Sequence, residues 1–130
     1  MNPDDLNACQ QRPPRDESTI TSPQVEVNRP LRIFISAPYS DHPDFRMEQT
    51  SAFARKLDAL GYDSYCPHLA LHWLEGEPDS WERALEICER EILLCDELWF
   101  WGTSKGVERE KEYATQHNIP VKDGTKELKR

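Results

Sequence analysis

The chain has 130 residues, enough for one domain. Lys plus Arg number 16 and Asp plus Glu 24, a formal net charge of −8. This acidic balance argues against duplex nucleic acid and anionic membrane as partners, which need a basic footprint, and no apolar run approaches the ~20 residues of a membrane span.

Residues 1–29 are rich in proline and contain no aromatic residue; all aromatics lie between Phe34 and Tyr113. Such a stretch buries too little apolar surface to offset its ordering entropy, and it reads as a flexible arm. Residues 30–122 read as the folded α/β unit and 123–130 as a polar, frayed tail. The opening Met1-Asn2-Pro3-Asp4-Asp5 has no basic or apolar leader character, so a cytoplasmic protein is expected. Cys9, Cys66, Cys88 and Cys95 form no C-x-x-C pair and read as reduced thiols, the last three buried.

Leu31 to Ala37 is a β-rich run that stops at Pro38, which predicts a buried strand. A helix follows to about Leu60, with Phe53, Leu57 and Leu60 on its apolar face and Gly61 just past its end. Asp63 to Cys66 is a second strand, closed by Pro67. Residues 67–78 form a long connection too apolar for a solvated loop. Asp79-Ser-Trp-Glu82 has the spacing of a capping box and opens a helix to about Leu94, with Leu85, Cys88, Ile92 and Cys95 inward. Glu97 to Trp101 is a third strand, Gly102 to Gly106 a turn, Val107 to His117 a helix, and Ile119 to Val121 a last strand.

This alternation implies a parallel sheet of four to five strands with helices on both faces. Ligands of such folds bind beyond the carboxyl ends of the strands. That places a site among loops 37–44, 67–78 and 102–106.

Within the last helix, Val107, Glu110 and Ala114 share one face. Glu110 is therefore either a nucleophile or base in a cleft, or a carboxylate that reaches water at the helix rim. Ser104 and Gly106 precede that helix and offer an anion cradle, or an ordinary cap and turn. Ser36, Pro38, Tyr39 and Ser40 make a hydroxyl-lined loop without G-x-G-x-x-G or Walker spacing. His68 and His72 are four apart with only apolar residues between them, which suits pocket lining better than a metal. Asp96 reads as a helix-to-strand junction or an acid. The tryptophans read as core or dimer surface.

Ala37-Pro38-Tyr39, Leu94-Cys-Asp96-Glu-Leu-Trp, Ser104-x-Gly106-x-x-x-Glu110-x-x-x-Ala114 and Ile119-Pro-Val121 stand in the order and spacing of one family. Over about residues 31–121 the chain resembles the nucleoside 2-deoxyribosyltransferase-like superfamily. In its Ser-x-Gly-x-x-x-Glu segment it is similar to the 2′-deoxynucleoside 5′-phosphate N-hydrolases. The resemblance implies a flavodoxin-like three-layer fold, a homodimer, no cofactor or metal, and a small-molecule nucleoside or nucleotide as ligand. It assigns Glu110 as the nucleophile on the anomeric carbon and Ser104 as a phosphate contact. It implies an N-glycosidic bond hydrolase or deoxyribosyltransferase; a nucleotide-binding module of the same fold is the alternative.

Two positions depart from the family pattern. Phe34 stands where a strand tyrosine often orients the glutamate. Cys88 stands where an aspartate often serves the leaving base, and Glu89, Asp96 or a loop residue would have to take over that task.

Overall fold

The computed structural model describes residues 29–129. The expected arm therefore lies outside the described residues, except for Arg29. Ten elements follow one another: β1 (Arg32–Ser36), α1 (Pro43–Ala59), β2 (Asp63–Tyr65), α2 (Pro67–Ala70), a 3-10 turn (His72–Leu74), α3 (Ser80–Leu93), β3 (Glu97–Phe100), α4 (Lys105–Gln116), β4 (Val121–Asp123) and α5 (Gly124–Leu128). The described strands form one parallel sheet in the order β2-β1-β3-β4. This is the small flavodoxin-like α/β fold. The order changes direction between β1 and β3, so the carboxyl ends of these two strands mark the crevice.

Both faces of the sheet are covered, which is why β1 reads as a continuous apolar run. Ile33 and Ile35 point to one side and pack with Leu57, Trp99 and Trp101, joined by Phe53 and Leu128. Phe34 and Leu98 point to the other, against Cys88 and Ile92 of α3 and Ala114 of α4. Phe53 stacks on Trp101 with ring centroids 4.1 Å apart, and Phe34 stacks on Tyr65 at 5.8 Å.

The helix ends follow from local chemistry. Pro43 opens α1, where its missing N–H costs nothing. Gly61, at φ +91°, closes it: its N–H donates to the Asp58 carbonyl, and Tyr62 N–H donates to Leu57. Asn118, at φ +61°, ends α4 in the same way, with Ile119 N–H on the Ala114 carbonyl.

Several expectations need correction. Leu60 is 61 % exposed: it is the C-cap residue of α1, one turn beyond the buried Leu57. Asp79 adopts left-handed backbone, φ +53°, and its side chain makes no cap bond, so the capping box is not formed. The apolar connection 67–78 contains α2 and the 3-10 turn. The last helix starts two residues earlier than Val107, and the last strand is Val121–Asp123. The tail is not simply frayed, since Asp123 caps α5 by accepting from Thr125 N–H, and Leu128 packs on the core.

Candidate functional site

The crevice holds a pocket of about 460 Å³, within the usual range for small ligands. Its walls come from the loop after β1, from the α2-to-3-10 connection, and from the first turns of α3 and α4. Tyr39, Ser40, His68, Ser104, Gly106 and Glu110 all line it. These six residues, all singled out in the sequence, thus converge from three segments.

Glu110 is the centre of the site. Val107 and Ala114 bury the inner face of α4, and Glu110 follows them inward. Ser36, fully buried at the end of β1, donates its hydroxyl to Glu110 Oε1 at 2.6 Å. From α3, the Cys88 thiol lies within hydrogen-bonding reach of the same carboxylate. Glu110 is enclosed by protein except toward the pocket. Burial pushes its carboxyl up to about 7, and the Ser36 and Cys88 donors only partly oppose that rise. Burial raises the Cys88 thiol even more strongly, reinforced by the adjacent Glu110 charge, so this thiol keeps its proton.

The hydroxyl that meets Glu110 from β1 belongs to Ser36, two positions beyond Phe34. Phe34 and Ser36 lie on the same face of β1. Phe34 sits in the core below, while the Ser36 hydroxyl meets the carboxylate.

His68 joins two segments. Its Nε2 is 2.9 Å from the Ala37 carbonyl, and its ring lies 4.8 Å from that of Tyr39. Burial holds its basicity below the ordinary histidine range, so the ring is neutral at pH 7. Ser104 caps α4, accepting from Val107 N–H at 3.1 Å. The ordinary-cap reading of Ser104 therefore holds, and its hydroxyl still borders the pocket. At the rim, His72 Nδ1 and Glu75 Oε2 pair at 3.2 Å.

The remaining positions are elsewhere. Asp96 is at the opposite, amino edge of the sheet. It accepts from Arg32 N–H at 2.8 Å and holds the Arg29 guanidinium at 2.9 and 3.1 Å. Those bonds keep its carboxyl below the usual range. It is a structural junction and not a catalytic acid at this pocket, because a residue just before a strand lies a strand's length from the carboxyl edge. Glu89 directly follows Cys88, but one helical step turns it away. It faces Arg109 across the α3–α4 surface at 3.8 Å and does not line the pocket. Pro38 is buried beneath Gly102, its ring against that backbone, and does not line the pocket either.

The sequence reasoning missed the α3 wall. Trp81, Ala84, Leu85 and Cys88 all line the pocket. Their spacing of three, four and seven was the available signal, since the core stripe of α3 continues upward as the pocket wall. Lys105, at the start of α4, is the pocket's lysine.

Among the described residues, no three His, Cys, Asp or Glu side chains are grouped to hold a metal ion, and no helix is long and apolar enough to cross a membrane. The arrangement can do nucleophilic or general-base chemistry: one half-buried carboxylate, oriented by a hydroxyl, facing a mainly apolar cavity. No curated protein matches the chain. Residues 31–123, most of the sequence and the whole parallel sheet, match a domain of unknown function, DUF7768, and the chain belongs to that family.

Proposed function

We propose that the protein cleaves the N-glycosidic bond of a nucleoside or nucleoside 5′-monophosphate, with Glu110 as the nucleophile. The observation that carries this reading is the 2.6 Å Ser36–Glu110 hydrogen bond on the wall of a ligand-sized pocket. A carboxylate held in one orientation, and desolvated, is suited to attack an anomeric carbon. The base departs, a glycosyl ester forms on Glu110, and water or a second base resolves it. Trp81 and Tyr39 offer aromatic surface for a base, and the start of α4 with Ser104, Lys105 and Gly106 offers donors for a phosphate or sugar. Hydrolysis is the simpler outcome, since one pocket needs to hold one base.

The test is release of free base from a panel of ribo- and deoxyribonucleosides and their 5′-monophosphates, with Glu110→Gln alongside. Release that vanishes in the variant supports the reading. Tight binding of a nucleotide that stays intact on long incubation turns it into a nucleotide-binding module.

A homodimer belongs to the same proposal. Leu69, Trp73 and Trp81 are exposed on neighbouring parts of the connection and of α3, a surface that a second copy can cover. Light scattering at micromolar concentration checks it, and a monomeric mass rejects it. The three described cysteines are free and buried, which agrees with a reducing cytoplasm.

A further inference from the structure

Cleavage of a neutral nucleoside leaves a basic nitrogen that needs a proton as the bond breaks. The groups in contact with the Glu110 carboxyl do not supply one, and the other proton carriers of the lining, Tyr39 and Lys105, are a phenol that burial makes still less acidic and an alkylammonium, classes far weaker as acids than a carboxylic acid. Ser36 is an alcohol already donating to it. Cys88 is a thiol whose acidity burial has suppressed. His68 is neutral; its Nε2 is engaged with the Ala37 carbonyl and its Nδ1 is closed off from solvent. Asp96 and Glu89 are bound elsewhere, as described above. Glu75 and His72 sit at the mouth, each with 56 % of its side chain exposed and paired with the other. The lining thus holds two carboxylates, Glu110 and Glu75, against the lysine Lys105, with Tyr39 and Trp81 as π faces. Carboxylates and aromatic rings together favour a flat cation.

We propose that the pocket takes N-glycosides whose base is already cationic, such as pyridinium or N7-alkylated purine nucleosides, and cleaves them without a leaving-group acid. This rests on the reading of Glu110 as nucleophile. In the first step a Glu110 oxygen donates an electron pair to the anomeric carbon. The bond from that carbon to the cationic ring nitrogen breaks, its pair stays on nitrogen, and the base leaves neutral with no proton transferred. Carboxylate and cation annihilate their charges, a step that a low-dielectric pocket favours. In the second step a water oxygen attacks the same carbon, the ester bond breaks, its pair returns to Glu110, and the water's proton passes to solvent. The sum is cationic glycoside plus water giving neutral base, free sugar and a proton.

The experiment compares matched substrates: 7-methylguanosine with guanosine, and nicotinamide riboside with uridine. Wild type and Glu110→Gln are assayed after subtraction of the enzyme-free rate, with folding of both checked by circular dichroism. The expected result is kcat/KM for 7-methylguanosine at least about 10²-fold above guanosine, the least that a positioned acid is ordinarily worth, and loss of cleavage in the variant. Guanosine or uridine cleaved as well as its cationic counterpart, still dependent on Glu110, overturns the substrate class and leaves the nucleophile standing. No cleavage of any of these nucleosides or of their 5′-monophosphates, or cleavage that survives Glu110→Gln, overturns both.

Discussion

Ser36 and Glu110 are 74 positions apart in the chain, and their side-chain oxygens are 2.6 Å apart in the fold. The distance is that of a charge-assisted O–H···O bond, which favours the ionised carboxylate and fixes its orientation. Replacing Ser36 with Ala removes the donor. The carboxyl then titrates at higher pH, and base release at pH 7 is expected to fall about tenfold, in line with a lost charged hydrogen bond of roughly 1.5 kcal/mol. A pH–rate profile whose midpoint moves upward checks this; an unchanged midpoint rejects the orienting role.

The wild-type profile has its own expected form. A nucleophilic Glu110 must be ionised, and its carboxyl is held at about 7. Activity therefore rises with pH and is half-maximal near that value. A rate that falls between pH 6 and 8 would assign the protonated acid as the working form instead.

The same burial links pH to stability. Glu110 has its folded-state value raised from 4.5 to about 7. The folded state thus binds the proton more tightly than the unfolded state. The resulting stabilisation is complete below pH 4.5 and is lost as pH rises through about 7. Glu110→Gln escapes this loss. Urea unfolding should show the variant gaining on wild type between pH 5 and pH 8, by up to about 3 kcal/mol. Equal differences at both pH values would mean the carboxyl is well solvated.

Gly124 is the point where α5 meets the core. A Cβ there would lie 2.2 Å from Trp101 Cε2, with two further indole atoms within 2.6 Å. Trp101 is itself pinned by Phe53 and cannot yield cheaply. Gly124→Ala is expected to cost about 1–3 kcal/mol through overpacking, read as a lower thermal midpoint. An unshifted midpoint would show that α5 does not dock as described.

Much of the fold was legible because both signals it depends on are local. The run Ile33-Phe34-Ile35 reports a strand covered on two faces, and the Val107–Glu110–Ala114 spacing reports a carboxylate turned inward. The partners of that carboxylate were not legible. Ser36 was visible as a hydroxyl at a strand end, but its contact with Glu110 depends on how β1 and α4 cross. Cys88 was legible as a buried thiol on the inward stripe of its helix, but not as a partner of Glu110. Glu89 was selected because it is next to Cys88, and a helix turns successive residues about 100° apart; for Asp96 the junction reading holds and the acid reading does not, because a strand separates its two ends. The short α5 gave no periodic signal, since Gly124 and Leu128 are the contacts that hold it.

The strand order gives the two sides of the pocket unequal mechanical character. β1 is hydrogen-bonded along both edges, so the Ser36–Glu110 pair is anchored to the interior of the sheet. The facing wall hangs from β2, an edge strand of three residues, and consists of one short helix and a single 3-10 turn. Opening of that wall breaks few backbone bonds, whereas displacing Glu110 requires the twelve-residue α4 to lift from the sheet and the Ser36 bond to break. Amide exchange is therefore expected to be slow at Ile35 and fast through residues 67–75, and a ligand of the pocket is expected to enter on the β2 side while the Glu110 carboxylate stays still.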